Sequence, residues 1–155
     1  MASAADKAPI LIAYDGSEFA KAAIVEAGRQ LAPGRRAVLL TVSEPLEGVP
    51  FLGASGAPID PNTMDSFLAA AREGAEKIAD EGCALAREAG FEAESRVLIG
   101  DSIWSLIVQG ADRESADLIV IGSHGRSGLK RAVLGSVAAA VAQHSKRSVL
   151  IVHQA

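Results

Sequence analysis

The sequence predicts a single α/β domain: a five-stranded parallel sheet with helices on both faces, in a Rossmann-like layout. Three observations carry that prediction. Short apolar runs alternate with longer segments of helical periodicity, in the order β-α-β-α-β-α-β-α-β. The runs are dense in Ile, Val and Leu with little polar alternation, as in strands buried on both faces. The chain has 155 residues, 49% of them hydrophobic, enough to enclose one core, with no composition break or internal repeat. Right-handed crossovers between successive strands then make the sheet parallel.

Ile10–Tyr14 reads as the first strand, stopped by the turn Asp15-Gly16-Ser17. Ser17 is placed to cap a helix running to about Leu31, with Glu18 in the first turn, where the positive helix end favours a carboxylate. Pro33-Gly34 ends that helix, and Ala37–Val42 is the second strand. Ser43–Ile59 carries Pro45, Pro50, Pro58, Gly48, Gly53 and Gly56; a connection this long is a lid, a partner surface or a plain insertion. Asp60-Pro61 opens a long helix to about Ala89, closed by Gly90, with Phe67, Ala71, Ile78, Leu85 and Ala89 as the expected core-facing stripe. A strand at Glu92–Leu98, the turn Gly100-Asp101 and a helix from Ser102 to about Glu114 follow. Leu118–Ile121 is uniformly apolar and so expected at the sheet centre. A helix from Ser136 to Ser145 leads to the last strand, Ser148–Val152.

Composition excludes several classes. Disordered and fibrous proteins are out, since charged residues make up only 22% of the chain. Aromatics are 4%, so the core is built from Ala, Val, Leu and Ile. The lone Cys83 forms no internal disulfide and no Cys/His cluster suggests zinc; a reducing cytoplasm fits this thiol usage. Met1–Pro9 lacks the basic and long apolar regions of a signal peptide, and no run is long enough to span a membrane. Residues 1–8 are expected to be a flexible N-terminus ahead of a domain over 9–155. The net charge of −4 argues against nucleic acid as a partner, yet the segment from Gly122 onward is +5 against −9 for the rest. Such a locally basic segment suits a small anionic ligand; ordinary solvated charges are the alternative.

The informative stretch is Gly122-Ser-His-Gly125-Arg-Ser-Gly-Leu-Lys-Arg-Ala-Val-Leu-Gly135-Ser136. Glycines let backbone amides approach a ligand, clustered amides make an anion nest, and a helix N-terminus favours phosphate. Ser136 either gives its hydroxyl to a phosphate oxygen or caps the helix. The stretch does not fit a Walker A loop, a Gly-x-Gly-x-x-Gly dinucleotide fingerprint or a Gly-x-Ser-x-Gly hydrolase elbow.

The spacing Gly122-x2-Gly125-x9-Gly135-Ser136 resembles the nucleotide-binding motif of the universal stress protein family. So do the opening Ile10-Leu-Ile-Ala-Tyr-Asp-Gly-Ser-Glu18, Gly100-Asp101 with its helix, Ala116–Gly122 and Ser148–Val152. The resemblance covers nearly all of the chain and implies the fold of the adenine nucleotide alpha hydrolase-like proteins. It further implies that Ala13 and Asp15 meet adenosine, that Val42 packs on adenine, and that Gly122, Gly125, Arg126, Gly135 and Ser136 hold the phosphates of ATP, with Mg2+. An aspartate at a strand end accepts hydrogen bonds, and valine supplies an apolar wall, so the chemistry agrees. Tyr14 departs from the family pattern, where smaller residues are common, as do Ser102 and Trp104. Trp104 is expected to pack on a helix face.

The remaining candidates have blander readings. His124 is expected to face solvent from the phosphate loop, with donation to a phosphate as the alternative. His144 and His153 stand isolated, and Cys83 is expected as a small core residue. No nucleophile, base and orienting group come together, so the first expectation is a nucleotide-binding regulatory module acting in stress response. A slow ATPase or phosphotransfer enzyme using Arg126, Lys130 and Arg131, or a nucleotide-independent dimeric scaffold, are the alternatives. A homodimer through Ser148–Val152 is also expected, because this last, uncharged strand is an apolar sheet edge unless another segment covers it.

Overall fold

The computed structural model describes residues 3, 6–45, 60–126 and 133–154. Along them run β1 (Ile10–Ala13), α1 (Glu18–Gln30), β2 (Arg36–Ser43), α2 (Pro61–Glu88), β3 (Glu92–Ile99), α3 (Ile103–Arg113), β4 (Leu118–Gly122), α4 (Ser136–His144) and β5 (Ser148–Val152). The expected alternation of elements is met throughout. Residues 46–59 of the expected long connection, and residues 1, 2, 4 and 5 of the expected flexible N-terminus, lie outside the described residues.

All strand pairs are parallel, and the sheet order is β3-β2-β1-β4-β5. Ile10 of β1 lies opposite Ala37 of β2 on one side and Leu118 of β4 on the other. Burial follows this order: β1 is buried along its whole length, and the outer strands β3 and β5 are half-exposed. β4 is internal, as its uniform apolar run requires. From β1 the chain winds outward through β2 to β3, then crosses to β4 and winds outward the other way. That reversal opens a crevice at the carboxyl ends of β1 and β4.

Strand alternation feeds two core layers. Ile10, Ile12 and Tyr14 pack with Ile24, Ala27 and Cys83 on the α1–α2 side, whereas Leu11 and Ala13 join Ile107, Ala111 and Val141 on the α3–α4 side. Cys83 is a small core residue, as expected, and burial pushes its thiol up from the ordinary value.

Ser17 caps α1 as expected, its Oγ accepting the Ala20 amide at 3.1 Å. Pro61 opens α2, but the Asp60 side chain makes no cap bond. The expected stripe of α2 is met in part, with Ile78, Leu85 and Ala89 packed against the core. Phe67 is exposed, Ala71, Ile78, Leu85 and Ala89 are half-buried, and the buried line is Ala75, Ala79, Gly82, Cys83 and Ala86. Ala71, Ile78 and Leu85 recur every seven residues, a spacing that drifts around a straight helix of 3.6 residues per turn. Small residues let α2 approach the sheet, and the larger side chains flank that contact. At Gly82 the approach is closest: a Cβ there would lie 2.6 Å from the Tyr14 ring.

Candidate functional site

The turn after β1 and the turn after β4 meet through one carboxylate. Asp15 Oδ1 accepts the Ser17 amide at 3.0 Å, and Asp15 Oδ2 accepts the Arg126 amide at 3.1 Å across 111 residues of sequence. The Ser17 bond is half-buried and the Arg126 bond exposed, and one charged side chain serves both turns. The sequence placed Asp15, Gly122, Gly125 and Arg126 at one end of the sheet; the structure puts Asp15 against the Gly125-Arg126 turn and Gly122 against Phe19.

Each motif glycine answers to a close neighbour within the protein. A Cβ at Gly122 would lie 2.9 Å from the Phe19 carbonyl, one at Gly125 would lie 2.9 Å from Asp15 Oδ2, and one at Gly135 would lie 2.7 Å from the Ser123 carbonyl oxygen. Packing within the protein by itself calls for glycine at these positions. Gly135 is fixed in addition by its amide, which donates to Ser123 O at 2.8 Å.

Gly135 is the N-cap of α4, and Ser136 is the first helical residue, exposed at its surface. The capping alternative for Ser136 is thus set aside. The amides of Ser136, Val137 and Ala138 have no acceptor within the helix, as at any α-helix start. Ala13 and Val42 lie at the carboxyl ends of adjacent strands, each 9% exposed, in the core layer shared with α3 and α4. Ala13 is opposite Leu40, so Val42 stands two residues further toward the sheet end. Among the described residues, no group of three or more His, Cys, Asp or Glu side chains is placed to hold a metal.

His124 differs from expectation. Its ring is half-buried, with Nδ1 3.0 Å from Ser123 Oγ, Nε2 2.6 Å from the Val133 carbonyl oxygen, and the Phe19 ring centroid 5.1 Å away. Val133 and Phe19 reach it only through the fold, which is why the residue reads as an ordinary loop histidine in sequence. His144, expected to be isolated, stacks on Trp104 with ring centroids 4.5 Å apart, and Trp104 packs on a helix face as expected.

Tyr14 and Thr41 also gain roles that the sequence did not reveal. The Tyr14 amide donates to Leu40 O, and the buried Thr41 hydroxyl donates to the Tyr14 carbonyl, both at 2.9 Å, so β1 and β2 stay joined up to the Asp15 turn. The Tyr14 ring turns away from the crevice onto Gly82, and its hydroxyl donates to Glu81 Oε1. Burial, then the Glu81 hydrogen bond and charge, push the phenol well above its ordinary value. The departure at Tyr14 therefore alters the α2 side of the sheet rather than the wall of the crevice.

The sequence model of the Universal stress protein family matches residues 8–153. The chain belongs to the universal stress protein family. A universal stress protein of Thermus aquaticus is 33% identical over 147 residues, covering 92% of this chain and 96% of its own length. Among solved structures, the Methanocaldococcus jannaschii protein MJ0577 superposes with a TM-score of 0.75 at 25% identity, with 96% of each chain covered. A universal stress protein solved in complex with cAMP superposes with a TM-score of 0.63 at 28% identity, covering 94% of this chain and 95% of its own. The family and its five-stranded parallel fold, expected from the motif, are thereby established for this chain. Among the described residues, no helix is long and apolar enough to cross a membrane.

Proposed function

We propose that this universal stress protein binds an adenine nucleotide, ATP with Mg2+, at the carboxyl ends of β1 and β4, and serves as a cytoplasmic regulatory module in stress response. The observation that carries the reading is the Asp15–Arg126 bond, which joins the β1 turn to the Gly125-Arg126 turn of the Gly-x2-Gly-x9-Gly-Ser motif. The relative solved with cAMP supports the choice of adenine nucleotide.

In this reading, the Gly122, Gly125, Arg126, Gly135 and Ser136 positions border the phosphates, and the Ser136–Ala138 amides at the start of α4 face them, since the Arg126 and Gly135 amides are engaged by Asp15 and Ser123. Each Asp15 oxygen retains a lone pair for ribose or base, and Ala13 with Val42 offers the apolar wall. Mg2+, when bound with the nucleotide, would supply positive charge against the phosphates. Occupancy biases shape or partner binding, and turnover stays below about 1 s⁻¹.

The test is to release any small molecule that copurifies, identify it by chromatography, and titrate the emptied protein with ATP–Mg2+ and GTP–Mg2+. Adenine nucleotide in the released fraction and tighter binding of ATP support the reading; equal affinity for ATP and GTP overturns the base assignment. Phosphate release in the enzyme range, lost in Ser136→Ala, would favour the slow ATPase instead.

The proposal extends to a homodimer through β5, and to a small anion rather than nucleic acid as ligand. β5 is an outer strand whose Val149, Leu150 and Ile151 are half-exposed, and an unpaired apolar edge invites a second strand. Val152 is buried on the α1–α2 side, so Ile151→Lys is the cleaner disruption. Light scattering should give a dimer mass for the native chain and a smaller one for that variant; a native monomer at micromolar concentration would end the dimer proposal.

A further inference from the structure

The start of α4 is attached to the end of β4 at two points. One is backbone: Gly135 N donates to Ser123 O at 2.8 Å, while Ser123 N itself donates to Val152 O at 2.8 Å. The other is a side chain: His124 Nε2 lies 2.6 Å from Val133 O. A carbonyl oxygen only accepts, so Nε2 carries the proton. In the neutral ring Nδ1 is then an acceptor, and the Ser123 hydroxyl, 3.0 Å away, is the donor. Ser123 is 1% exposed, so its hydroxyl has no bulk water as an alternative partner.

The Val133 carbonyl thus assigns a proton to Nε2 and engages it within the protein. The ring is also held from the side by Phe19, tilted 49° to it. Val133, by contrast, is 69% exposed, so little apolar burial holds its backbone in place. A single bond at Gly135 lets the segment pivot, whereas a second at Val133 fixes its direction into α4.

We propose that His124 is a positioning residue that sets the first turn of α4, and with it the Ser136–Ala138 amides, against the end of β4. It acts through the Val133 carbonyl and does not itself donate to the phosphates. The proposal rests on the nucleotide reading of the crevice only for its effect on affinity; the clasp itself is a property of the protein without ligand.

The experiment pairs nitrogen NMR of the imidazole and hydrogen exchange at the Gly135 amide with titrations of ATP and of adenosine, which lacks phosphates. The native protein should show the Nε2–H tautomer. His124→Phe, which keeps an aromatic against Phe19 but removes both hydrogen bonds, should speed exchange at Gly135 and weaken ATP about tenfold. Adenosine affinity should change less than about twofold, and His124→Gln, which donates again, should recover most of the loss. An Nδ1–H tautomer, unchanged Gly135 exchange in His124→Phe, or equal losses for ATP and adenosine would overturn the proposal. If the native protein binds neither ligand, the nucleotide reading fails, and the tautomer and exchange results alone decide the clasp. A His124→Phe protein that does not fold leaves the decision to His124→Gln and the native tautomer.

Discussion

Asp15 accepts the amide of Arg126 at 3.1 Å, so a residue at the end of the first strand anchors a turn that follows the fourth. The same carboxylate accepts the Ser17 amide from its own turn. One side chain thus holds together the two sides of the crevice where the strand order reverses.

Asp15→Ala should remove both accepted bonds and leave two amides to find other partners. A loss of about 1–3 kcal/mol in urea denaturation is expected, together with weaker ATP binding. Asp15→Asn keeps one carbonyl oxygen and should lose less on both measures. Unchanged stability and affinity in Asp15→Ala would show that the bridge is dispensable.

Gly135 and Ser136 should separate in their effects although they are neighbours. Ser136 is exposed, so Ser136→Ala should change stability by less than about 0.5 kcal/mol while weakening ATP more than adenosine. Gly135→Ala places a Cβ 2.7 Å from the Ser123 carbonyl oxygen, so it should lower the melting temperature as well as ATP affinity. Differential scanning calorimetry beside ATP titration distinguishes the two patterns.

Gly82 is fitted to Tyr14. Gly82→Ala drives a methyl to 2.6 Å from the aromatic ring and should destabilise the protein by about 1–3 kcal/mol, as overpacking does. Adding Tyr14→Leu, which shortens the side chain facing the new methyl, should cost less than the two changes summed. Simple additivity in denaturant titrations would contradict direct packing between these positions.

Alkaline pH should weaken the fold through Tyr14. Its phenol is raised well above the ordinary value of about 10, first by burial and then by Glu81, so the folded chain holds the proton more tightly than the unfolded chain. The stabilising contribution is complete below about pH 10 and is lost as pH climbs above it. Tyr14→Phe should show a shallower alkaline loss of stability. Tyr14 is the one tyrosine in the sequence, so tyrosinate absorbance reads it alone; ionisation of the folded protein at an ordinary tyrosine value would contradict the prediction.

The strands' positions along the chain were legible because parallel strands buried on both faces leave unbroken runs such as Leu118–Ile121. The glycine-serine spacing was legible because it is local in sequence. The partners of those residues were not. His124 meets Phe19 and Val133, and Asp15 meets Arg126, only after the sheet has formed. On α2 the seven-residue apolar spacing drew attention to half-buried flanking residues, while the close contact is made by Ala79, Gly82 and Cys83, whose small size carries little hydrophobic signal.

The most direct measurement of adenine-nucleotide binding in the β1–β4 crevice is an amide NMR titration of the native protein with ATP–Mg2+. Saturable shifts are expected at Ser17, Gly125, Arg126, Ser136 and Val137, with Arg35 and Glu92 at the opposite end of the sheet unmoved. No saturable shift, or shifts confined to residues away from that crevice, would contradict it.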